Sequence, residues 1–320
     1  MSLALPDSPR LLVEVDLKPV QGRRFQPTGF PDVGAGRFEL PDKTPMLLVE
    51  SPQSVANRLE SVCWDEAAND LHPSLVGLPY VKIDLGDGKW TSSVVEAHRL
   101  NSPYIEKSDA FAMVKQEVGF VEKKPMDRRR LLAALLKFDP GCLLHGVFLE
   151  SIAGVLRIPR ALSGFIEASN VSVVQTGGVK NDRVAAGKDA EGGSTAKDGF
   201  GNVPFHRDEY VADRITAYFN VDLEQIRGYG LGKDVEALLF ALAVWKIRSF
   251  LARGMRLRTA CDLEAIDEPK VTRPAGGRLP PLAEAEAAVA NLIKVVAAEG
   301  KFANPPVTIG KFGGAKAKGK

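Results

Sequence analysis

The 320-residue sequence lacks the features of membrane, secreted and metal-knuckle proteins. Its longest unbroken apolar run, Ala237–Trp245, has nine residues, whereas about 18 are needed to span a bilayer. The N-terminal segment has no basic start followed by a long apolar stretch, so we expect no secretory signal. The three cysteines lie far apart, which argues against a disulfide framework and a CxxC metal site. We therefore expect a cytoplasmic protein with no membrane partner.

The chain also lacks an excess of charge of one sign. Lys and Arg number 42 and Asp and Glu number 40, which leaves a formal net charge of +2. A domain that binds nucleic acid freely carries more positive charge, so phosphate binding here must rely on locally clustered cations. Such clusters occur between Lys18 and Arg37 and in the tail Gly310–Lys320, whose lysines have no acid among them.

Several catalytic and ligand-binding patterns are absent too. The four histidines are scattered without HxH or HxxxH spacing, and there is no GxSxG segment. The segment Gly228–Lys233 is rich in glycine but does not have P-loop spacing, so its amides could bind a single phosphate at most. We find no convincing carboxylate pair or nucleophile, and we therefore expect no catalytic residue, no metal and no cofactor.

The sequence does contain alternating strand and helix patterns. Ser51 before Pro52 is a helix-start signal. The basic first turn Arg128–Arg130 opposes the helix dipole, so either an anion or a solvated turn can account for it. These patterns predict an α+β fold built on an antiparallel sheet. Strands are predicted over Leu11–Leu17, Met46–Glu50, Tyr80–Leu85, Ile166–Gln175, Ile215–Leu223 and Met255–Cys261, and helices over Pro52–Trp64, Arg128–Phe138, Lys233–Arg253 and Pro281–Glu299.

The composition changes between Thr176 and Phe205, where glycines and charged residues replace apolar ones. A stretch with so little apolar content cannot offset its ordering entropy, which predicts a projecting or mobile loop. Within it, Gly199–Phe205 echoes the RNA-stacking motif of RRM domains. Asp198 stands where that motif has a basic residue, and Pro204 does not suit a central strand. We interpret the echo as chance.

Arg and Lys recur beside Gly, Asn, Gln or an aromatic residue in predicted loops. Guanidinium groups and amides suit phosphate oxygens and base edges, and an adjacent aromatic ring can stack on a base. Each cluster alone also fits an ordinary salt-bridged surface, but together they make an anionic polymer a candidate partner. The candidate RNA-binding residues are Arg23, Arg24, Phe25, Gln53, Asn57, Arg58, Arg99, Arg157, Arg160, Lys180, Arg183, His206 and Arg207.

Four segments resemble a known protein family, the Cas-seven-type backbone subunits of subtype I-G (formerly I-U) CRISPR Cascade complexes, which belong to the RAMP superfamily. The segments are Leu11–Phe38, Leu47–Glu60, His145–Asn170 and Tyr218–Gly232. The resemblance implies an RRM-like (ferredoxin-like) antiparallel palm with finger and thumb insertions. It implies a palm over residues 1–265, with 176–205 as thumb or mobile loop, a helical extension over 266–309 and a flexible basic tail over 310–320.

The resemblance also implies a function. Copies of such a subunit stack along a CRISPR RNA (crRNA), hold its backbone and present its bases to target DNA, beside a large subunit and Cas-five-type or Cas-six-type subunits. Sequence is read by base pairing, while the protein contacts backbone and shape. We expect no nuclease activity, and we expect the cationic loops of one protomer to form part of one continuous track. On this hypothesis Arg58→Ala weakens RNA binding and flattens its salt dependence.

Two alternatives remain. The first is a RAMP ribonuclease that cleaves target RNA with a loop aspartate such as Asp16 or Asp32. The second is a scaffolding protein that binds no nucleic acid and whose basic loops are solvated surface.

Overall fold

The computed structural model describes residues 3, 5–30, 32–121, 124–152, 156–180, 203–253 and 255–313. The strands of the described chain are β1 Arg10–Pro19, β2 Gly29–Phe30, β3 Gly34–Ala35, β4 Arg37–Glu39, β5 Pro45–Glu50, β6 Trp64–Asp65, β7 Asp70–Leu71, β8 Tyr80–Gly86, β9 Lys89–Ser92, β10 Val147–Leu149, β11 Leu156–Ile158, β12 Leu162–Ser169, β13 Ser172–Lys180, β14 Val203–Val211, β15 Arg214–Asp222, β16 Met255–Arg258, β17 Cys261–Ala265, β18 Lys270–Arg273 and β19 Val307–Lys311. The helices are α1 Pro52–Ser61, α2 Pro103–Glu106, α3 Ala110–Val118, α4 Arg128–Phe138, α5 Gly141–His145, α6 Leu223–Gly228, α7 Lys233–Ala252 and α8 Leu282–Ala298, with 3-10 turns at Pro73–Leu75 and Arg99–Asn101.

The main sheet has the strand order β16-β17-β1-β15-β12-β5-β4, and β18 pairs with β1 beside this path. Each of these neighbouring pairs is antiparallel. The mixed α+β architecture with an antiparallel sheet is therefore confirmed.

The two faces of the sheet follow from the period-two alternation of its strands. On β1, Leu11, Val13, Val15 and Leu17 are buried, while the residues between them are only partly covered. Helix α1 contacts β12 and helix α7 contacts β15, so these helices cover the apolar face. Helix α7 is buried along nearly its whole length, as its apolar sequence predicts.

The predicted loop 176–205 begins and ends in a two-stranded ribbon. Strands β13 and β14 pair antiparallel from Ser172 opposite Val211 to Lys180 opposite Val203, and residues 181–202 lie outside the described ones. The prediction of a loop was wrong for 176–180 and 203–205. The glycines do not mark disorder here: a Cβ on Gly177 would lie 2.4 Å from the carbonyl oxygen of Phe205, so glycine permits the close approach of the two strands.

Several other predicted boundaries were also wrong. The β-rich stretch Ile166–Gln175 is divided between β12 and β13 at Asn170, which has φ 53°. The predicted strand Met255–Cys261 is a hairpin of β16 and β17. The helix predicted over Pro52–Trp64 ends at Ser61.

The C-terminal region is part of the sheets, not a helical extension followed by a free tail. Strand β18 pairs with β1, and β19 pairs in parallel with β8. Gly310 and Lys311 therefore belong to a strand, and residues 314–320 of the predicted tail lie outside the described ones. Long-range pairing of this kind is not visible in local composition, which is why the boundaries at 265 and 310 were misplaced.

The basic first turn of α4 has a structural explanation. The side chain of Asp127 accepts hydrogen bonds from the backbone amides of Arg129 and Arg130 at 2.9 and 3.3 Å. The guanidinium of Arg130 donates to the carbonyl oxygens of Glu117 and Gln116 at 2.7 and 2.9 Å, at the end of α3. An acidic cap thus offsets the unfavourable charge, and no anion is needed. Across the described chain, no helix combines the length and apolar character required to cross a membrane.

Candidate nucleic-acid interface

Two grooves collect most of the candidate residues that the structure describes. The first, the ribbon groove, has a volume of about 640 Å³ at the root of the β13–β14 ribbon. The second, the helix groove, has a volume of about 890 Å³ beside the start of α1. The ribbon groove includes Gln21, Arg23, Arg24, Arg207, Glu209, Arg256 and Asp262, and the helix groove includes Gln53, His98, Arg99, Glu106, His145, Phe148, Glu150, Arg157 and Arg160.

The ribbon groove has an excess of positive charge. Its four arginines face two carboxylates, Glu209 and Asp262. Arg24 Nη1 lies 3.1 Å from Oε2 of the buried Glu209, which also binds Arg207. Arg23 and Arg256 form no ion pair with any described residue. Two guanidinium groups are therefore held by one carboxylate, and two others remain open to an anionic ligand.

Phe25 does not serve this groove as a stacking surface. Its side chain is 1% exposed, and its backbone exchanges two hydrogen bonds with Tyr210 at 2.9 and 2.8 Å. The ring therefore anchors the loop that carries Arg23 and Arg24 to the core beside the ribbon. The sequence-based assignment of Phe25 to base stacking was wrong, because an aromatic residue beside arginines looks the same whether it anchors the loop or binds a base.

The two ribbon candidates next to each other do not act together. His206 and Arg207 are consecutive on β14, so they point to opposite faces of the ribbon. Arg207 lies in the ribbon groove, whereas the exposed His206 has its Nε2 3.7 Å from Oδ1 of Asp208. Lys180 lies at the far end of β13, opposite Val203. Arg183 lies outside the described residues.

The helix groove contains a directed chain of hydrogen bonds. Arg160 donates to Oε1 of Gln53, and Nε2 of Gln53 donates to Oδ1 of Asn57 at 3.0 Å. Because a guanidinium can only donate, each amide in this chain accepts on one side and donates on the other. The chain therefore leaves the amide hydrogens of the exposed Asn57 pointing outward. The guanidinium carbon of Arg157 lies 4.9 Å from the ring centroid of Phe148, which keeps this cation at the rim.

Arg99 belongs to the interior and not to the surface of the helix groove. Its guanidinium binds both oxygens of Glu60 and donates to the carbonyl oxygen of Gly146 at 3.0 Å. Burial raises the pKa of Glu60 although Arg99 opposes this. Its assignment as an RNA contact was wrong, because a buried bidentate pair leaves no donor for a ligand.

His145 is a polar group of this groove that the sequence did not single out as a ligand contact. It is buried, and neither ring nitrogen has a hydrogen-bond partner among the described residues. Burial, followed by the charges of Lys246, Arg99 and Arg160, lowers its pKa well below the usual value. The imidazole is therefore neutral at physiological pH.

Arg58 also has a structural role that the sequence did not reveal. Its Nε lies 3.1 Å from Oε1 of Glu50, and its Nη2 donates to the carbonyl oxygen of Leu257 at 2.5 Å. Glu50 is 0% exposed and also binds Arg258, whose Nη1 donates to the carbonyl oxygen of Gln26 at 2.8 Å. The buried carboxylate thus joins α1, β16 and the loop before β2, and Arg58 is engaged in that junction.

The remaining sequence candidates for acid or phosphate chemistry are dispersed. Arg214 and Thr216 donate to Oδ1 of Asp16 at 2.7 and 2.9 Å. Although partial burial acts to raise it, these hydrogen bonds hold the pKa of Asp16 below its usual value. Asp32 is exposed in a turn with φ 68°. Within the described ranges, no three His, Cys, Asp or Glu side chains are grouped as a metal site.

The glycine-rich start of α7 is unsuited to a phosphate. Its first turn contains Asp234 and Glu236, which repel an anion. Lys301 Nζ already occupies this end of the helix and donates to the carbonyl oxygen of Leu231 at 3.0 Å. The interpretation of Gly228–Lys233 as a phosphate loop was therefore wrong.

The two grooves lie toward opposite ends of the central strands. Pro19, at the end of β1, belongs to the ribbon groove. Arg160 lies just before Leu162, which pairs with Val221, and Val221 pairs with Leu11 at the start of β1. A ten-residue strand is about 30 Å long. The expectation of one continuous cationic track on a protomer was wrong, because the described arginines form two separated groups.

The comparisons with known proteins bear on this geometry. The sequence model of a family described as CRISPR-associated protein GSU0053 (Cas_GSU0053) matches residues 11–173, which is 163 of the 320 residues. This chain belongs to that family. The match confirms the resemblance to Cas-seven-type CRISPR proteins. It includes the whole helix groove and, in the ribbon groove, Arg23 and Arg24 but not Arg207 or Arg256.

Two solved structures are similar to this chain at a low level. A chain of a CRISPR RNA-guided surveillance complex in a pre-nicking state is 11% identical with a TM-score of 0.42, over 91% of this chain and 89% of that one. Csc2 of Thermofilum pendens is 11% identical with a TM-score of 0.33, over 91% of this chain and 77% of that one. Among curated proteins there is no match to this sequence. The assignment to the GSU0053 family therefore rests on the sequence match.

Proposed function

We propose that this protein of the GSU0053 family is a backbone subunit of a subtype I-G CRISPR effector complex that binds crRNA through its phosphates. The observation that carries the proposal is the ribbon groove, in which Arg23 and Arg256 have no carboxylate partner among the described residues. A groove with four arginines and two carboxylates in a nearly neutral chain attracts a polyanion locally. A pocket for a small metabolite would not require this excess of cations.

The separation of the grooves supports a polymer as the ligand. Two cationic sites about 30 Å apart cannot both contact one mononucleotide, but a strand can contact both, within one protomer or across neighbouring ones. The Arg160–Gln53–Asn57 chain presents only donors at its exposed end, which suits phosphate oxygens. Such contacts hold any guide sequence equally well, and they leave base edges free for pairing with target DNA.

In this proposal the antiparallel sheet is an RRM-like palm and the β13–β14 ribbon is part of a thumb. Copies stack along the crRNA, and the near-zero net charge limits repulsion between them. The subunit works in the cytoplasm beside a large subunit and Cas-five-type or Cas-six-type subunits, and it has no nuclease activity of its own.

Purification of the recombinant protein with and without its CRISPR transcript tests the proposal. We expect the protein to retain short guide RNA, which raises its absorbance at 260 nm relative to 280 nm, and to form a multimer by native mass spectrometry. An RNA-free monomer that ignores CRISPR transcripts would overturn the proposal and favour a scaffolding role.

A further inference from the structure

The β13–β14 ribbon carries an aromatic side chain that neither the core nor the ribbon groove accounts for. Phe205 is 51% exposed, although it is a large apolar residue in a strand. Its position opposite Gly178 in the ribbon places both residues on the same face. An exposed aromatic ring loses contact with water when a ligand covers it, so it can contribute to binding.

Gly178 determines where this ring lies. A Cβ on Gly178 would come within 3.0 and 3.1 Å of the Phe205 ring atoms Cζ and Cε1. The ring therefore rests across the bare backbone of Gly178 and is supported from below. One side of the ring packs on the ribbon while its other side remains open. A rigid aromatic platform of this kind suits stacking better than a ring that rotates freely in solvent.

The open ring lies on the ribbon face that leads to the ribbon groove. Phe205 and Arg207 are two residues apart on β14, so they share a face and are about 7 Å apart along the strand. Arg207 lines the ribbon groove. An exposed ring next to cations is the combination that binds single-stranded nucleic acid, in which bases stack and phosphates pair with guanidinium groups.

We propose that Phe205 stacks against an unpaired nucleobase of the RNA strand whose phosphates lie in the ribbon groove. This inference rests on the proposed function, and it assigns the stacking contact that Phe25 cannot make. Every base has an aromatic face, so the contact is tolerant of sequence. A second copy of the chain is a less suitable cover, because the adjacent arginines would have to be buried with it.

The ribbon supplies a matched control. Val179 is 55% exposed and lies next to Gly178, so it points to the opposite face of the ribbon. Truncation of Val179 removes a similarly exposed apolar side chain from the same ribbon without touching the face that carries Arg207. Both side chains are exposed, so we expect both variants to fold, which circular dichroism checks.

The test uses the full chain and single-stranded RNA in which 2-aminopurine replaces adenines one position at a time. At one or more positions we expect wild-type protein to quench the probe by stacking. Phe205→Ala should abolish this quenching and weaken binding about 5- to 150-fold, with the salt dependence of binding unchanged because no phosphate contact is lost. Phe205→Trp should retain the quenching, and Val179→Ala should behave as wild type.

The outcomes separate this inference from the proposed function. If wild-type protein binds RNA and Phe205→Ala binds it with equal affinity and equal quenching, the stacking role is overturned and the proposed function stands. If Phe205→Ala changes the oligomeric state but not the probe, Phe205 contacts protein and the inference is again wrong. If wild-type protein binds no RNA, both fail together.

Discussion

Replacing Arg23 and Arg256 with alanine should remove the two ribbon-groove cations that lack a carboxylate partner. Because nothing in the described chain neutralises them, each is available to displace counterions from RNA. Each lost phosphate contact lowers the slope of log K against log salt by about 0.7 for a single strand. The double variant should therefore have a slope shallower by about 1.4, and its affinity deficit should shrink about sevenfold between 50 and 200 mM salt.

Arg58→Ala is the matched control, because its guanidinium is bound to the buried Glu50 and to the carbonyl oxygen of Leu257. We now expect this substitution to leave the slope unchanged and to lower the free energy of unfolding instead. This reverses the expectation from sequence. Glu209→Gln should act in the opposite sense, since it releases Arg24 and Arg207 and should steepen the slope by about 0.7.

The assay is fluorescence anisotropy of a labelled guide-length RNA at four or more salt concentrations, with urea unfolding of each variant in parallel. Parallel lines for wild type and the double variant would refute the assignment of Arg23 and Arg256 to phosphate contacts. A slope for Arg58→Ala as shallow as that for Arg23→Ala would refute the distinction between free and paired arginines.

Three further predictions concern the interior and the ribonuclease alternative. Arg99→Ala should lower the free energy of unfolding by about 3–5 kcal/mol in urea titrations, because Glu60 loses its buried partner; an unchanged midpoint would contradict this. Burial raises the pKa of Asp139 to about 6, so its favourable contribution is full below about pH 4 and is lost as pH rises through 6. Compared with Asp139→Asn, wild type should therefore lose up to about 3 kcal/mol of stability over this range, and equal pH profiles would refute the shift. Asp16→Asn and Asp32→Ala should leave bound RNA as intact as wild type in Mg²⁺, and metal-dependent cleavage that either substitution abolishes would favour the ribonuclease.

Local patterns predicted the elements whose cause is local. The helix starting at Pro52 is capped by Ser51, whose side chain accepts from the amide of Ser54 at 3.3 Å. Helix α4 spans Arg128–Phe138, as its apolar spacing predicts. Strand β1 buries every second residue from Leu11 to Leu17. In each case the signal and its cause lie within a few residues of one another.

The ribbon shows where local reasoning failed. Glycines 177 and 178 and the charged residues around them have the composition of a loop, and composition was the only guide. In the structure these glycines pair with Phe205 and His206 across the sequence gap 181–202. A glycine that permits close strand approach and one that permits flexibility are the same residue in the sequence, and only its partner distinguishes them.

The site was predictable as a set of residues but not as an arrangement. Arg256 lies on the alternating apolar and basic stretch after α7, so its exposure was foreseeable, yet it was not selected as a contact. The acids that decide which arginines are free, Glu50, Glu60 and Glu209, are remote in sequence from at least one of their partners. No spacing rule connects Glu50 to Arg258.

The sequence by itself determined the α+β class, the positions of the main helices and strands, the family and the supply of cations, because these depend on side-chain periodicity, capping and composition. Tertiary structure alone decided which cations are available to a ligand. It brought Glu50 and Glu60 onto Arg58 and Arg99, sent Phe25 into the core, left Phe205 exposed and separated the remaining arginines into two grooves. The physical reason is that a guanidinium group binds whichever carboxylate or phosphate lies within a few ångströms, and distances between remote residues exist only after the chain has folded.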